Sequence, residues 1–328
     1  MFGRNLLLPL ASCAVALVNV ASVASNLPVI FFHGVTRTYE DGDNFVANLT
    51  VEGRTVASLS FCDGVCSIQS LLTQVPEAVK AVREVVANNS VFDDGYIFIG
   101  HSLGGPISRA VMEEMDDHKV KRYISLGGLQ NGQFIGPERV EKSIADDGAF
   151  FKAIIPETAF NYSGYSPEDY YGKMQKEFVL YTIENPHLLH GNFFLPVYNN
   201  VNRCLPGDDQ CIFDQHRRKA NFLKVEQAHF FASPADDIII PWQSSIFGRY
   251  SEVDTIKEIE TQYKNLTAAD MKDTLEYTSD TFGLQTLDKR GGLFLHTAEN
   301  ISHKCWVEDE GDCVWATVYD QYLYQTLV

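Results

Sequence analysis

The chain has 328 residues, of which 45% are hydrophobic, so it is long enough for one large α/β domain or for a domain with an inserted cap. Its formal net charge of -17 would repel the phosphate backbone of a nucleic acid, which argues against nucleic-acid partners.

Residues 1–25 have the pattern of a cleaved secretory signal peptide. Arg4 is their only charged residue, an apolar stretch runs from Leu6 to Val18, and small residues follow up to Ser25. This apolar stretch is short for a stable membrane span, although an uncleaved N-terminal anchor is the alternative. The rest of the chain, 26–328, contains no run of about 20 apolar residues. We therefore expect a mature protein that enters the secretory pathway and has no stable membrane span.

The first predicted strand is an unbroken apolar run over 27–34 that ends in His33-Gly34. Such a run is typical of a central strand that is buried on both faces. A polar loop follows from Val35 to Asn44. A second strand is predicted over 56–61, and an amphipathic helix over 70–87.

The centre of the pattern is the pentapeptide Gly100-His101-Ser102-Leu103-Gly104, which follows a short apolar strand and precedes a helical pattern. Strand, sharp turn and helix are the context in which a G-x-S-x-G motif holds a serine hydroxyl exposed at the end of a sheet. The pentapeptide alone is a weak signal, because glycine and serine are common. With its context, it predicts Ser102 as a nucleophile.

Another buried strand is predicted over 123–127, so strands and helices alternate along this half of the chain. That order predicts an α/β-hydrolase fold with a mostly parallel sheet. The alternation of predicted strands and helices stops from about 130 to 222. This stretch is rich in aromatic residues, and we interpret it as a cap inserted into the single domain 26–328. Its aromatic pairs are compatible with an acyl groove and equally with core packing.

The remaining candidate catalytic residues follow the late predicted strands. In α/β-hydrolases the chain order is serine, acid, histidine, with the acid and the histidine in loops after late strands. Asp236 or its neighbour Asp237 follows a predicted strand over 228–232. His303 lies in the loop after a predicted strand over 291–296, whereas His296 ends that strand, where a structural role is the default. A closing helix is predicted over 313–327.

The six cysteines beyond the signal peptide form close pairs along the chain: Cys62 with Cys66, Cys204 with Cys211, and Cys305 with Cys313. This even count and spacing predict three local disulfides in an oxidising compartment. Metal binding at the first pair is the alternative, but no second ligand pair of suitable spacing accompanies it, and no metal or other cofactor is expected. Five sequons agree with a glycoprotein: Asn48, Asn88, Asn161, Asn265 and Asn300.

Five stretches resemble the palmitoyl-protein thioesterase family: 100–105, 123–126, 236–248, 282–287 and 301–306. Of these, 236–248 and 301–306 are most similar to the second lysosomal branch of that family. The resemblance spans about 28–325. It implies a lysosomal or secreted α/β-hydrolase that cleaves fatty-acyl thioesters, either acyl-CoA or S-acylated protein.

The same resemblance implies a role for each candidate residue. Ser102 is the expected nucleophile, His303 the base and Asp236 the acid, since Asp236 lies five residues before the matched proline. The backbone N-H groups of Val35 and Leu103 are the expected oxyanion hole. The family usually has glutamine at the position of Leu103, and the cap matches weakly. A carboxylesterase or lipase of the same fold, and a secreted acyl-binding protein without turnover, remain alternatives.

Overall fold

The computed structural model describes residues 26–132, 194–202, 204–251, 261–262 and 265–328. The predicted signal peptide and residues 133–193 of the predicted cap lie outside the described residues, as does the sequon at Asn161. The strands that the structure describes are Val29–Phe32 (β1), Val56–Ser58 (β2), Tyr96–His101 (β3), Val120–Leu126 (β4), Gln227–Ala232 (β5), Arg249–Tyr250 (β6), Ala268–Ala269 (β7) and Leu293–Thr297 (β8).

Six of these strands form one sheet in the order β2-β1-β3-β4-β5-β8, and each neighbouring pair is parallel. The strands β6 and β7 pair separately as a small antiparallel ribbon. The central strands β1 and β3 are buried along their whole length, because helices cover both faces of the sheet. The predicted α/β fold with a mostly parallel sheet is confirmed.

The α-helices among the described residues are Asp43–Val51 (α1), Leu71–Asn88 (α2), Gly104–Glu114 (α3), Leu195–Tyr198 (α4), Asp209–Phe222 (α5), Leu275–Thr278 (α6), Leu284–Lys289 (α7), Trp315–Val318 (α8) and Tyr324–Leu327 (α9). Short 3₁₀ turns occur at Tyr39–Gly42, Gly64–Ile68, Ser90–Phe92, Trp242–Ile246, Met271–Asp273 and His303–Trp306. No helix in these ranges is both long and apolar enough to cross a membrane.

The other strands shift by up to three residues at an end, and two elements differ in a way that has a structural cause. The strand predicted over 56–61 ends at Ser58, because the chain then turns into the loop closed by the Cys62–Cys66 disulfide. The predicted closing helix is interrupted by a π-helical turn at Tyr319–Leu323, between α8 and α9. The helix predicted over 70–87 is confirmed as α2, which begins after Ser70, whose side chain accepts a hydrogen bond from the N-H of Leu72.

The three predicted disulfides are present, with Cys62 bonded to Cys66, Cys204 to Cys211 and Cys305 to Cys313. The last part of the predicted cap is helix α5, which packs against α3. Asn221 at the end of α5 donates its side-chain N-H to the carbonyl of Glu113, at 2.9 Å. The division of the chain into a domain and a cap remains a prediction.

Candidate active site

Ser102 lies in the turn between β3 and α3, where its φ of +53° is left-handed. This conformation is rare for a residue with a side chain and persists only when the surrounding structure holds it. Both flanking glycines are required by close approach. A Cβ on Gly100 would lie 2.3 Å from the carbonyl oxygen of Gly104, and one on Gly104 would lie 2.2 Å from that of Phe32. The predicted strand-turn-helix around Ser102 is confirmed.

Asp236 and His303 are in direct contact, although 67 positions separate them in the chain. The Nδ1 atom of His303 lies 2.9 Å from Oδ2 of Asp236 and 3.1 Å from its Oδ1. Asp236 also accepts hydrogen bonds from the N-H groups of Ile238 and Ile239, which fix its carboxylate at the end of β5. A carboxylate in this position favours the tautomer of His303 that leaves Nε2 free to accept a proton.

Asp237 contacts the same histidine through the backbone. Its Oδ1 accepts a hydrogen bond from the N-H of His303 at 3.1 Å. Residue chemistry left the choice between Asp236 and Asp237 open, the family resemblance favoured Asp236, and the structure gives the two residues different contacts. Asp236 binds the imidazole ring, whereas Asp237 binds the main chain of the same residue.

The end of β4 brings Ser102 and Asp236 to the same region. The N-H of Ser102 donates to the carbonyl of Leu126 at 3.0 Å. The next residue, Gly127, lies so near the acid that a Cβ on it would be 3.2 Å from Oδ2 of Asp236. The candidate residues therefore cluster at the carboxyl ends of neighbouring parallel strands, where ligands bind in open α/β sheets.

His101, the second residue of the pentapeptide, connects the turn at Ser102 to His303. Its Nε2 donates to the carbonyl oxygen of His303 at 3.0 Å, and the two rings lie 4.9 Å apart between centroids. Burial lowers the pKa of His101 well below its usual value, and the neighbouring His303 lowers it further. His101 is therefore a neutral donor. Its position inside the pentapeptide was the one signal in the sequence for this contact.

His296 has a structural environment, as expected from its place in a strand. Its Nε2 lies 3.1 Å from Nδ1 of His229, and its ring stacks on Phe231 with centroids 4.2 Å apart. Burial lowers the pKa of His296. Burial also lowers the pKa of His229, and the neighbouring His296 lowers it further, to about 3. Neither histidine belongs to the Ser102 cluster.

The two N-H groups predicted for the oxyanion hole flank the nucleophile turn. Leu103 directly follows Ser102. Val35 follows Gly34, which lies so close that a Cβ on it would be 3.0 Å from Cβ of Ser102. Among the described residues, neither the N-H of Val35 nor that of Leu103 has a hydrogen-bond acceptor. Both donors are thus available at the edge of the cluster.

Comparison with known proteins identifies the family. Residues 28–303 match the family described as palmitoyl protein thioesterase, which is most of the chain. The chain belongs to the palmitoyl protein thioesterase family. The resemblance drawn from its motifs is confirmed, and the protein is a thioester hydrolase with the α/β-hydrolase fold.

The relatives of this thioesterase include two lysosomal thioesterases. Lysosomal thioesterase PPT2-B of Xenopus laevis is 28% identical over 100% of both chains. Lysosomal thioesterase PPT2 of Homo sapiens is 30% identical and is matched over 86% of this chain and 84% of the human one. Among solved structures, the monoacylglycerol lipase of Paleococcus ferrophilus aligns with this chain at 13% sequence identity and a TM-score of 0.42. The alignment covers 92% of this chain and 95% of the lipase.

Two cavities of this thioesterase adjoin the cluster. One of about 260 Å³ begins at Asp236 and has a mixed lining, in which the side chains of Ile240, Trp242 and Leu266 stand beside polar groups such as Gln243. The other, of about 570 Å³, lies between the loop after Val35 and the loop after His303. Its lining is strongly acidic: Glu40, Asp41, Asp43, Glu308, Asp309 and Glu310, with Arg37 as the one cation.

The described residues contain no group of three or more His, Cys, Asp or Glu side chains placed to hold a metal ion.

Proposed function

We propose that this thioesterase hydrolyses fatty-acyl thioesters by nucleophilic catalysis, with Ser102 as the nucleophile, His303 as the base and Asp236 as the acid of a triad. The observation that carries this proposal is the 2.9 Å contact between Nδ1 of His303 and Asp236 beside a serine held in a nucleophile turn. A serine hydroxyl needs an imidazole to take its proton, and the imidazole needs a carboxylate to hold its tautomer.

In the proposed reaction, His303 takes the hydroxyl proton of Ser102 while the oxygen attacks the thioester carbonyl. The N-H groups of Val35 and Leu103 stabilise the resulting oxyanion. The C-S bond then breaks, His303 returns its proton to the leaving sulfur so that the thiol departs, and the acyl group remains as an ester of Ser102. A water molecule gives its proton to His303 and attacks that ester, which releases the fatty acid and restores the serine.

The apolar part of the cavity beside Asp236, formed by Ile240, Trp242 and Leu266, supports a fatty-acyl group as the part of the substrate that this protein binds. Apolar surface removed from water contributes about 25 cal/mol per Å² to binding, so a longer chain gains affinity until the cavity is full. We propose S-acylated cysteine in a protein or peptide, or acyl-CoA, as the thioester. A panel of acyl thioesters of increasing chain length, assayed by thiol release, measures this preference directly.

We further propose that the protein acts in the lysosome, as the names of its relatives suggest for them. The disulfides support passage through an oxidising compartment. The sequon asparagines that the structure describes are all exposed: Asn48, Asn88, Asn265 and Asn300. The passage through the secretory pathway is tested on the purified secreted protein. N-terminal sequencing shows whether the signal peptide is cleaved, and glycosidase treatment shows whether the sequons carry glycans.

The deciding experiment labels the purified mature protein with a fluorophosphonate probe, which reacts with a serine hydroxyl activated by its base. We expect labelling at Ser102 that is lost in His303→Ala, and thioester hydrolysis that is lost in Ser102→Ala. A fully active Ser102→Ala variant would refute the triad. Oxyester hydrolysis far faster than thioester hydrolysis would identify a carboxylesterase or lipase instead. Folded protein that neither reacts with the probe nor releases thiol would be an acyl-binding protein.

A further inference from the structure

The segment 61–67, closed by the Cys62–Cys66 disulfide, lies along the segment 33–37, which carries the N-H of Val35. Nothing in the proposed reaction uses the 61–67 segment, which we call the disulfide loop. Its contacts with 33–37 involve both side chains and main chain. The inference drawn from them rests on the proposed function, because it concerns how the oxyanion hole is held.

The first contact is made by His33, which is almost fully buried. Its Nε2 lies 3.1 Å from the carbonyl oxygen of Phe61 and 2.9 Å from Oδ1 of Asp63. On the other side of the ring, Nδ1 lies 2.9 Å from the carbonyl oxygen of Gly34. The ring of His33 therefore connects the segment 33–37 to the disulfide loop, through the Phe61 carbonyl and the Asp63 side chain.

Two further contacts follow directly along the chain. The N-H of Thr36 donates to Oγ of Ser67 at 2.5 Å. The N-H of Gly64 donates to the carbonyl of Arg37 at 2.8 Å. The disulfide loop therefore binds the chain on both sides of Val35, at His33 before it and at Thr36 and Arg37 after it.

The backbone that these contacts hold is strained. Thr36 has a φ of +62°, and a β-branched residue in the left-handed region is a genuine outlier. Such a conformation costs of the order of 1–3 kcal/mol and persists only when neighbouring groups hold it. The hydrogen bond from the Thr36 N-H to Ser67 is one of the contacts that hold it. Without the disulfide loop, the turn at Val35 and Thr36 would relax.

The disulfide loop is itself anchored to the domain. The hydroxyl of Ser67 donates to the carbonyl of Gly64 at 2.5 Å, across the turn that the disulfide closes. The side chain of Gln74, fully buried in α2, donates to the carbonyl of Ser67 at 2.8 Å. The loop is thus a rigid support that connects the oxyanion segment to helix α2.

We infer that the disulfide loop is a positioning element for the oxyanion hole: its contacts through His33, Asp63, Gly64 and Ser67 hold the Val35 N-H where the tetrahedral oxyanion forms. An oxyanion donor acts on the transition state much more than on bound substrate, so its displacement lowers kcat and leaves KM nearly unchanged.

The test compares the double variants C62S/C66S and C204S/C211S in the full mature chain, each of which loses one short disulfide. The second disulfide lies at the start of α5 and is the matched control. With S-octanoyl-N-acetylcysteamine as substrate, we expect kcat of C62S/C66S to fall about tenfold or more, since a lost oxyanion donor costs a hundredfold or more. We expect its KM to change little and C204S/C211S to keep its kcat.

A kcat of C62S/C66S equal to that of C204S/C211S in folded proteins, or a loss confined to KM, would overturn the inference. If C62S/C66S does not fold, Ser67→Ala keeps the disulfide and removes the acceptor of the Thr36 N-H together with the Ser67–Gly64 hydrogen bond, with the exposed Ser279→Ala as its control. Full kcat in Ser67→Ala would then overturn it. If the wild-type protein hydrolyses no thioester, the proposed function fails and this inference falls with it, whereas an active wild type with active variants refutes the inference alone.

Discussion

His303 is held at three points, and each contact has a separate consequence. Asp236 binds Nδ1 of its ring, Asp237 accepts its backbone N-H, and His101 donates to its carbonyl. The contact with the ring sets the tautomer of His303, whereas the two backbone contacts fix the main chain from which its side chain extends. Two neighbouring carboxylates with the same chemistry are therefore not interchangeable at this site, and substitution can separate their effects.

We expect Asp236→Asn to lower kcat about a thousandfold or more, because an amide at this position favours the wrong imidazole tautomer. Asp237→Asn keeps a side-chain oxygen for the His303 N-H, so we expect less than about a tenfold loss, in line with the loss of charge on one hydrogen bond. Steady-state kinetics on one acyl thioester measures both. A larger loss in Asp237→Asn would mean that the acid is assigned to the wrong residue.

At the scale of elements, helix α3 carries a buried ion pair directly behind the nucleophile turn. Arg109 and Glu113 have fully buried side chains, and Nη1 of Arg109 lies 3.0 Å from Oε1 of Glu113. Arg109 also donates to the carbonyl of Tyr198, at 3.2 Å, and to the side chain of Asn199, at 2.5 Å. Its guanidinium lies 4.8 Å from the centre of the Phe282 ring. This pair therefore connects α3 to the end of α4 and to Asn199, the residue that follows it.

Removal of Arg109 leaves buried acceptors without their donor, among them the Glu113 carboxyl, the Tyr198 carbonyl and the Asn199 side chain. We expect Arg109→Met to lower the free energy of unfolding by about 3 kcal/mol or more. The control is Arg83→Met, which breaks the exposed pair with Asp117 and is expected to cost at most about 1 kcal/mol. Urea unfolding measures both. We expect R109M/E113Q to recover part of the loss, and a double variant no more stable than R109M would contradict this account.

The same pair gives a pH dependence with a definite sign. Burial raises the pKa of Glu113 to about 8, although Arg109 acts to lower it. The folded state thus holds this proton more tightly than the unfolded chain. The resulting stabilisation is complete below about pH 4.5 and is lost as pH rises through about 8. In thermal unfolding from pH 4.5 to 8, Glu113→Gln is expected to lose less stability than the wild type, and parallel curves would exclude this cause.

At the scale of the whole molecule, the net charge of -17 and the acidic cavity beside the loop after Val35 create a negative potential around the site. A substrate with phosphate groups, such as acyl-CoA, approaches this field against repulsion, whereas a neutral thioester does not. The field acts over a Debye length, about 30 Å at 0.01 M salt and about 8 Å at 0.15 M. The dependence of KM on ionic strength therefore distinguishes a thioester whose thiol carries phosphate groups from a neutral thioester.

We expect KM for octanoyl-CoA to fall roughly threefold or more as ionic strength rises from 0.01 to 0.15 M, because screening removes the repulsion. KM for S-octanoyl-N-acetylcysteamine, which carries the same acyl chain without phosphates, is the control and should stay constant. A constant or rising KM for octanoyl-CoA would mean that the CoA phosphates bind away from the acidic surface.

The sequence by itself determined the features that depend on neighbouring residues. Apolar runs predicted the strands, glycines with a serine between them predicted the nucleophile turn, and cysteines four to eight positions apart predicted the disulfides. The order of Ser102, Asp236 and His303 and a few longer motifs were sufficient for the fold and the family. These signals are local because backbone periodicity, turn geometry and short-loop closure are local.

Only the tertiary structure decided which groups touch across the sheet. It gave Asp236 and Asp237 different contacts with His303, placed His101 against the carbonyl of a residue 202 positions later, and brought the disulfide loop to Thr36. It also ended the second strand early and buried Arg109 with Glu113. No local pattern encodes these contacts, because they depend on how parallel strands align their carboxyl ends and on which side chains then meet in a dry interior.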